Sequence, residues 1–210
     1  MLTPLRPGTF NEIQLDAGAF FIGIDPSTYK SVAAMKSALE AAIGDDAKCL
    51  GASRGGGSFQ VTRETREVEA DGKRYSFVGS TIVDSQDAFL STTLIEITPG
   101  NIKRALSTAD STVATDDTSS DKTTTITPRT SIKDSDYIET LCWVGETRQG
   151  YLAIVLQNAI NKADFNMTIN DKGEAELAVE FHATMGGVND FDTPPYRIYR
   201  LDKAAAGPGG

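Results

Sequence analysis

Hydrophobic and polar positions alternate with a period of two over much of this chain. Near the N-terminus one stretch has a helical period instead. Ala17 to Ile24 is a compact apolar run stopped by the turn signal Asp25-Pro26-Ser27, and it predicts a buried strand. Over Ser31 to Ile43, Val32, Met35, Leu39, Ala42 and Ile43 recur at helical spacing, and Gly44 stands where a C-cap belongs. The opposite face (Lys36, Ser37, Glu40) is polar, so this helix should lie on an outer surface over a sheet. Ser58 to Thr62 alternates, with Phe59 and Val61 on one face, and Asp71-Gly72 signals a tight turn. Tyr75–Val83 and Ala88–Ile97 read as two further strands. Thr98-Pro99 then opens a short second helix through Leu106, with Thr98 as N-cap and Pro99 at its first position.

The second half of the chain reads as strand throughout. Ile138–Gly145 and Tyr151–Gln157 are apolar. A hairpin follows, with Phe165, Met167 and Ile169 on one arm, Asn170-Asp171-Lys172-Gly173 as the turn, and Ala175, Leu177, Val179 and Phe181 on the other arm. Period-two alternation on both arms predicts one buried and one wet face, and Glu174, Glu176 and Glu180 make the wet face of the second arm acidic. Tyr196–Leu201 is a short amphipathic strand after Pro194-Pro195. The fold expected is mainly β, a sandwich or barrel-like arrangement with one flanking α-helix and a short second helix. Residues 15–201 form a single domain, preceded by an arm at 1–14 and followed by a disordered tail at 202–210. Within that domain, 14 of the 25 residues at 107–131 are Ser or Thr, interspersed with Asp110, Asp116, Asp117 and Asp121. This insert reads as a long mobile loop or a loosely held hairpin on a surface, in preference to a linker between two domains, because neither half alone looks like a complete fold.

Composition narrows the function more than it narrows the fold. The chain has 210 residues, 40% hydrophobic and 23% charged, with a formal net charge of −9. That length can bury a sizeable core. The negative balance argues against a protein that grips nucleic acid, which needs a basic patch, and leaves room for one that must avoid gripping it. Cys49 and Cys142 form no CxxC and read as small hydrophobes. Met1–Pro7 shows no signal-peptide core, and Tyr151–Leu156 is too short to span a bilayer, so the expected setting is a cytoplasm.

Catalytic and ligand chemistry is thin. His182 is the single histidine, and no spacing supplies it with metal-ligand partners. It reads as a surface or interface residue. Ser53-Arg54-Gly55-Gly56-Gly57-Ser58 suggests a phosphate loop, but no Gly-Lys-Ser/Thr follows and the next element is strand-like. Its glycines offer backbone freedom or close approach of another chain, with Arg54 pairing a carboxylate, on a neighbour in that case. Asp116–Asp121 lacks calcium-loop spacing. No catalytic residue, metal site or cofactor is expected. The segment Arg63–Arg74 sets Arg63, Arg66, Lys73 and Arg74 against Glu64, Glu67, Glu69 and Asp71. Four positive and four negative charges suit a complementary contact.

Five segments in order then carry a family resemblance. They are Leu50-Gly51-Ala52-Ser53-Arg54-Gly55-Gly56-Gly57-Ser58-Phe59; Glu64–Lys73; Leu94-Ile95-Glu96-Ile97-Thr98-Pro99-Gly100-Asn101-Ile102-Lys103; Glu180-Phe181-His182-Ala183; and Pro195-Tyr196-Arg197-Ile198-Tyr199. Together they resemble the major tail tube proteins of long-tailed bacteriophages. The 107–131 insert is longer than that pattern. The resemblance implies a non-enzymatic subunit of stacked hexameric rings, through whose bore viral DNA leaves without specific binding. The implied partners are copies of the chain itself, tail initiator or baseplate and terminator proteins, and a tape measure protein within the tube. The implied location is the virion tail, with host cytoplasm during assembly. Arg54 and the charged residues of 63–74 would stack rings. Phe191, Tyr196 and Tyr199 would form a subunit-contact arm, and Glu174, Glu176 and Glu180 would face the lumen. Two rival readings are the inner tube of a contractile injection system and a small β-sandwich binding module. The binding module would need clustered exposed aromatics or paired carboxylates, and the single tryptophan, Trp143, lies in an apolar stretch.

Overall fold

The structure, a computed structural model, describes residues 9, 13, 14, 16–187 and 193–203. It is mainly β, as expected, with two helices against a large antiparallel sheet. The strands are β1 (Ala19–Ile22), β2 (Ser53–Glu67), β3 (Thr81–Leu94), β4 (Ala109–Thr115), β5 (Lys122–Pro128), β6 (Ile138–Thr147), β7 (Gly150–Asn161), β8 (Asn166–Thr168), β9 (Glu176–His182) and β10 (Tyr196–Asp202). The large sheet runs β1-β6-β7-β9-β3-β2, with β10 added to β7 and β8 to β9. Strand β7 joins its two halves. Most of β7 lies between β6 and β10, and its last residues, Ile160 and Asn161, pair with His182 and Phe181 of β9.

Two apolar cores explain the unbroken hydrophobic runs of β1, β6 and β7. Phe20, Leu141, Ile154 and Leu156 pack against Leu90, Leu94, Leu177, Val179 and Phe181 of the other half-sheet. Their neighbours Phe21, Cys142, Val144, Ala153 and Val155 face the opposite way, against α1 (Val32–Ile43). Strands buried on both faces cannot alternate with polar residues. Helix α1 begins where the Ser31 Oγ accepts from the Ala34 N–H, and it buries Met35, Leu39 and Ala42. Helix α2 (Pro99–Leu106) has the expected Thr98 cap. Its Asn101 is buried and donates to the Leu50 and Glu96 carbonyls, fastening α2 to the strand ends beside it.

Three expectations change. The short strand at 58–62 is the middle of the fifteen-residue β2. The two strands expected at 75–83 and 88–97 are one strand, β3, and Tyr75–Ser80 belong to the turn before it. Polar Asp84, Ser85 and Gln86 break the apolar pattern without ending the strand, because this part of β3 has no face against the core. On the 163–183 hairpin, β8 is three residues long and only Met167 is half-buried, while Phe165 and Ile169 are 42% and 76% exposed. The Ser/Thr-rich insert, expected as a mobile loop or hairpin, is a hairpin. β4 and β5 pair over seven positions, and its base is tied by Arg129 to Asp136 at 2.5 Å. Burial disfavours the Asp136 charge, but the Lys133 N–H and the Arg129 guanidinium outweigh that and hold its carboxyl below the usual range. Most of the 1–14 arm, and residues 204–210, lie outside the described residues.

Candidate assembly interface

Strands β2 and β3 pair from Ser53↔Leu94 to Glu67↔Thr81. Strand β9 covers β3 only over Phe89–Leu94. Beyond that point the pair continues as a two-stranded ribbon, exposed at every position of 62–67 and 81–86. A lone two-stranded ribbon is marginal in water. Here cross-strand polar contacts support it: Arg66 Nε donates to Asp84 Oδ1 at 2.8 Å, and Ser85 Oγ to Glu64 Oε2 at 3.0 Å. Near the end, Lys73 Nζ reaches Glu67 Oε1 at 2.8 Å and the Val68 carbonyl at 2.9 Å. Lys73, with Ser76 and Ser80, pushes the Glu67 carboxyl down to about 2.

The tip is two turns in series. Lys73 N–H donates to the Ala70 carbonyl and Ser80 N–H to the Phe77 carbonyl, with Gly72 (φ +81°) and Gly79 (φ +89°) at the third position of each. That positive φ is what a type II turn requires and what glycine supplies. Between them the tip presents apolar side chains to solvent. Tyr75 is 81% exposed, Phe77 65%, and Val78 fully. With Val68, Ile82 and Val83 also exposed along the ribbon, so much uncovered apolar surface is unusual for a segment that stays wet.

The ribbon's root is braced from β9 and β10. His182 is 7% exposed, so it is buried rather than on the surface as the sequence suggested. Its Nδ1 lies 2.7 Å from Asp87 Oδ2, its Nε2 lies 2.8 Å from Glu180 Oε1, and its ring stacks on Phe89 at 4.9 Å. On the other side Gln86 Nε2 donates to the Tyr196 hydroxyl at 2.7 Å, and the Tyr196 ring meets Phe59 at 5.7 Å.

At its N-terminal end, β2 is bulged. Arg54 pairs with Thr93 and Gly57 with the adjacent Thr92, so Gly55 and Gly56 stand out of register, both at φ +74°. Thr92 Oγ1 donates to the Gly56 carbonyl at 2.7 Å, fixing the bulge. Arg54 Nη1 donates to Glu176 Oε1 at 2.7 Å, and Nη2 pairs with Glu174. Glu174, then Glu176, holds the guanidinium pKa above its ordinary value. Along its outer side β2 has no partner strand among the described residues, which leaves a fifteen-residue sheet edge open there.

The residues expected to act together therefore separate into groups. Arg63, Glu64, Arg66 and Glu67 lie on a strand, not in a loop, and Glu69, Asp71, Lys73 and Arg74 lie at the tip. Among the described residues, the side chains of Arg63, Glu69, Asp71 and Arg74 have no ion-pair or hydrogen-bond partner, while those of Arg66 and Lys73 are paired within the ribbon. Arg54 is paired inside its own chain, not held free for a neighbour, and its partners are two of the expected lumen residues. The third, Glu180, is at His182. Tyr196 and Tyr199 are half-buried in β10, which pairs with β7 along its whole length. Phe191 lies outside the described residues. Sequence reading missed the apolar tip, because Tyr75–Val78 resembles the start of a strand; Gly79-Ser80 was the signal that it ends in a turn. It also missed the Asp87–His182–Glu180 cluster, whose members are far apart in the chain. No cluster of three or more metal-ligand side chains is found among the described residues, and no helix there is long and apolar enough to cross a membrane. No family model matches the chain, and no curated protein matches it.

Proposed function

We propose that this chain is the tail tube subunit of a long-tailed phage or prophage, a structural protein that assembles into stacked hexameric rings around a DNA channel. The observation that carries the reading is the projecting β2–β3 ribbon. Its sides carry the paired charges Arg66–Asp84 and Lys73–Glu67 beside exposed Ile82 and Val83, its tip is apolar and exposed, and four of its charged side chains lack partners among the described residues. Such a ribbon gains nothing for an isolated molecule, but gives a head-to-tail contact that repeats along an axis. The open edge of β2 supports the same reading, since a ring closes sheet edges on neighbours. The five resembling segments fall on β2, the ribbon, the β3–α2 junction, β9 and β10, which are neighbours in this one structure.

On this reading the chain is not an enzyme. It works beside baseplate, terminator and tape measure proteins in the virion tail. A bore lined by the Glu174–Glu176 face carries two carboxylates for each Arg54, so it stays net negative and repels phosphates. The test is negative-stain microscopy of the purified chain at high concentration, alone and with baseplate seeds. Hollow tubes of uniform width are the expected result. Discrete monomers in the presence of seeds would refute the proposal.

A further inference from the structure

The apolar tip has a complement on this same chain. Between α1 and strands β1, β6 and β7 runs a groove of about 410 Å³, within the range of about 300–1,000 Å³ typical of ligand sites. Leu39, Val144 and Tyr151 line it, and Ile43, 63% exposed, stands at its side. Among the described residues its rim carries Asp16, Glu40 and Glu146 against one cation, Lys36, which is 3.6 Å from Glu40. The charge excess is felt inside the groove. Burial first, and then Glu146, Glu40 and Asp16 together, push the Tyr151 hydroxyl above its ordinary pKa.

We infer that this groove is the seat of the ribbon tip of a second copy, with Tyr75, Phe77 and Val78 on its apolar lining and Arg74 against its acidic rim. The inference rests on the tube reading and adds where the tip goes. Three features select this occupant. The tip is an apolar cluster, Tyr75, Phe77 and Val78, that no described residue of its own chain covers. Arg74 directly precedes that cluster, and its side chain has no partner among the described residues. The groove joins the same two properties in opposite sense, an apolar lining under a net negative rim. A tip in one copy and a groove in the next form a heterologous contact, which propagates instead of closing as a dimer. Charge complementarity at the rim also fixes which way the tip enters.

Disulfide trapping on the full chain tests this without requiring tubes. Val78→Cys and Ile43→Cys are made separately in a Cys49→Ser background. Both side chains are largely exposed, so neither change touches the core. The two proteins are mixed and oxidised slowly. The cross-linked heterodimer should form about tenfold faster than either homodimer, the factor one close charge pair carries, and Arg74→Glu on the tip-bearing chain should remove the advantage. Equal rates, which a groove filled by any other segment would give, overturn the proposal. The two readings fail separately. Tubes without a heterodimer advantage remove the groove and leave the tube. A heterodimer advantage without tubes on baseplate seeds keeps the contact and removes the tube.

Discussion

Replacing Phe77 by serine separates folding from assembly in one measurement. Phe77 is 65% exposed at the tip of the ribbon, so the folded subunit has little to lose. Unfolding of the isolated subunit in urea should shift by less than about 0.5 kcal/mol, as for surface positions without special contacts. Assembly should respond differently. Burying the exposed two thirds of a phenylalanine side chain against another subunit is worth about 1–2 kcal/mol. Its loss lowers the association constant of each tip contact roughly 5–30-fold. The assay is the critical concentration for seeded tube growth, read by pelleting, with Ile132→Ser as an exposed apolar control away from the ribbon. Ile132→Ser should assemble like the unaltered chain. A critical concentration unchanged in Phe77→Ser would refute the reasoning, because the tip would then be solvent-facing in the tube as well. An effect on assembly accompanied by an equal loss of subunit stability would refute it too.

Three further outcomes follow from particular groups. Asn161 is buried, donates to the Ala105 and Ala163 carbonyls and accepts from the Glu180 N–H. Asn161→Ala leaves those groups unpaired at the join of the two half-sheets and should destabilise the subunit by about 3 kcal/mol or more in urea titration. The Glu67 carboxyl is lowered from its ordinary 4.5 to about 2, so its contribution to tip order is complete above pH 4.5 and is lost as pH falls toward 2. Hydrogen exchange at residues 67–80 should accelerate over that window, and Glu67→Gln should abolish the change. The Cys142 thiol is fully buried and pushed up to about 12, so native-state labelling should modify only the half-buried Cys49, with Cys142 reacting upon unfolding.

The elements most legible in the sequence are those whose pattern answers to a single partner surface. Helix α1 shows its one apolar stripe and its C-cap glycine, and β9 shows clean alternation because one face meets the core at Leu177, Val179 and Phe181. The cap of α2 is equally local, one threonine before one proline. Where long-range pairing decides, the pattern fails. The outer half of β3 is held by β2 alone, so its residues bear no trace of burial, and Tyr75–Val83 reads as strand for the wrong reason. The charged character of the candidate site was legible; its partition was not. Arg54 meets Glu174 and Glu176 from 120 and 122 positions away, and His182 meets Asp87 from 95. No local spacing encodes such meetings, and each removes a charge that would otherwise count toward an interface.

On the proposed tube reading, the acidity of the chain and the charge at its tip act on assembly in opposite directions, and salt separates them. The net charge of −9 repels copies across whole subunits. The Debye length is ~10 Å at 0.1 M salt and ~30 Å at 0.01 M, so this long-range term weakens first as salt is added. Arg74 seated at an acidic rim is a short contact that loses water as the tip enters, and such a pair is screened much less. Assembly should therefore strengthen from ~0.01 M to ~0.15 M salt, as repulsion fades, and weaken toward ~1 M, as the contact pair is screened in turn. Arg74→Glu should keep the rising limb and lose the falling one, because no attractive pair is left to screen. A steady rise for the unaltered chain up to ~1 M would assign stacking to the apolar tip alone, with Arg74 a bystander. A steady fall from ~0.01 M upward would mean that subunit repulsion never opposed assembly, and the acidity would then need an explanation inside the bore rather than between the rings.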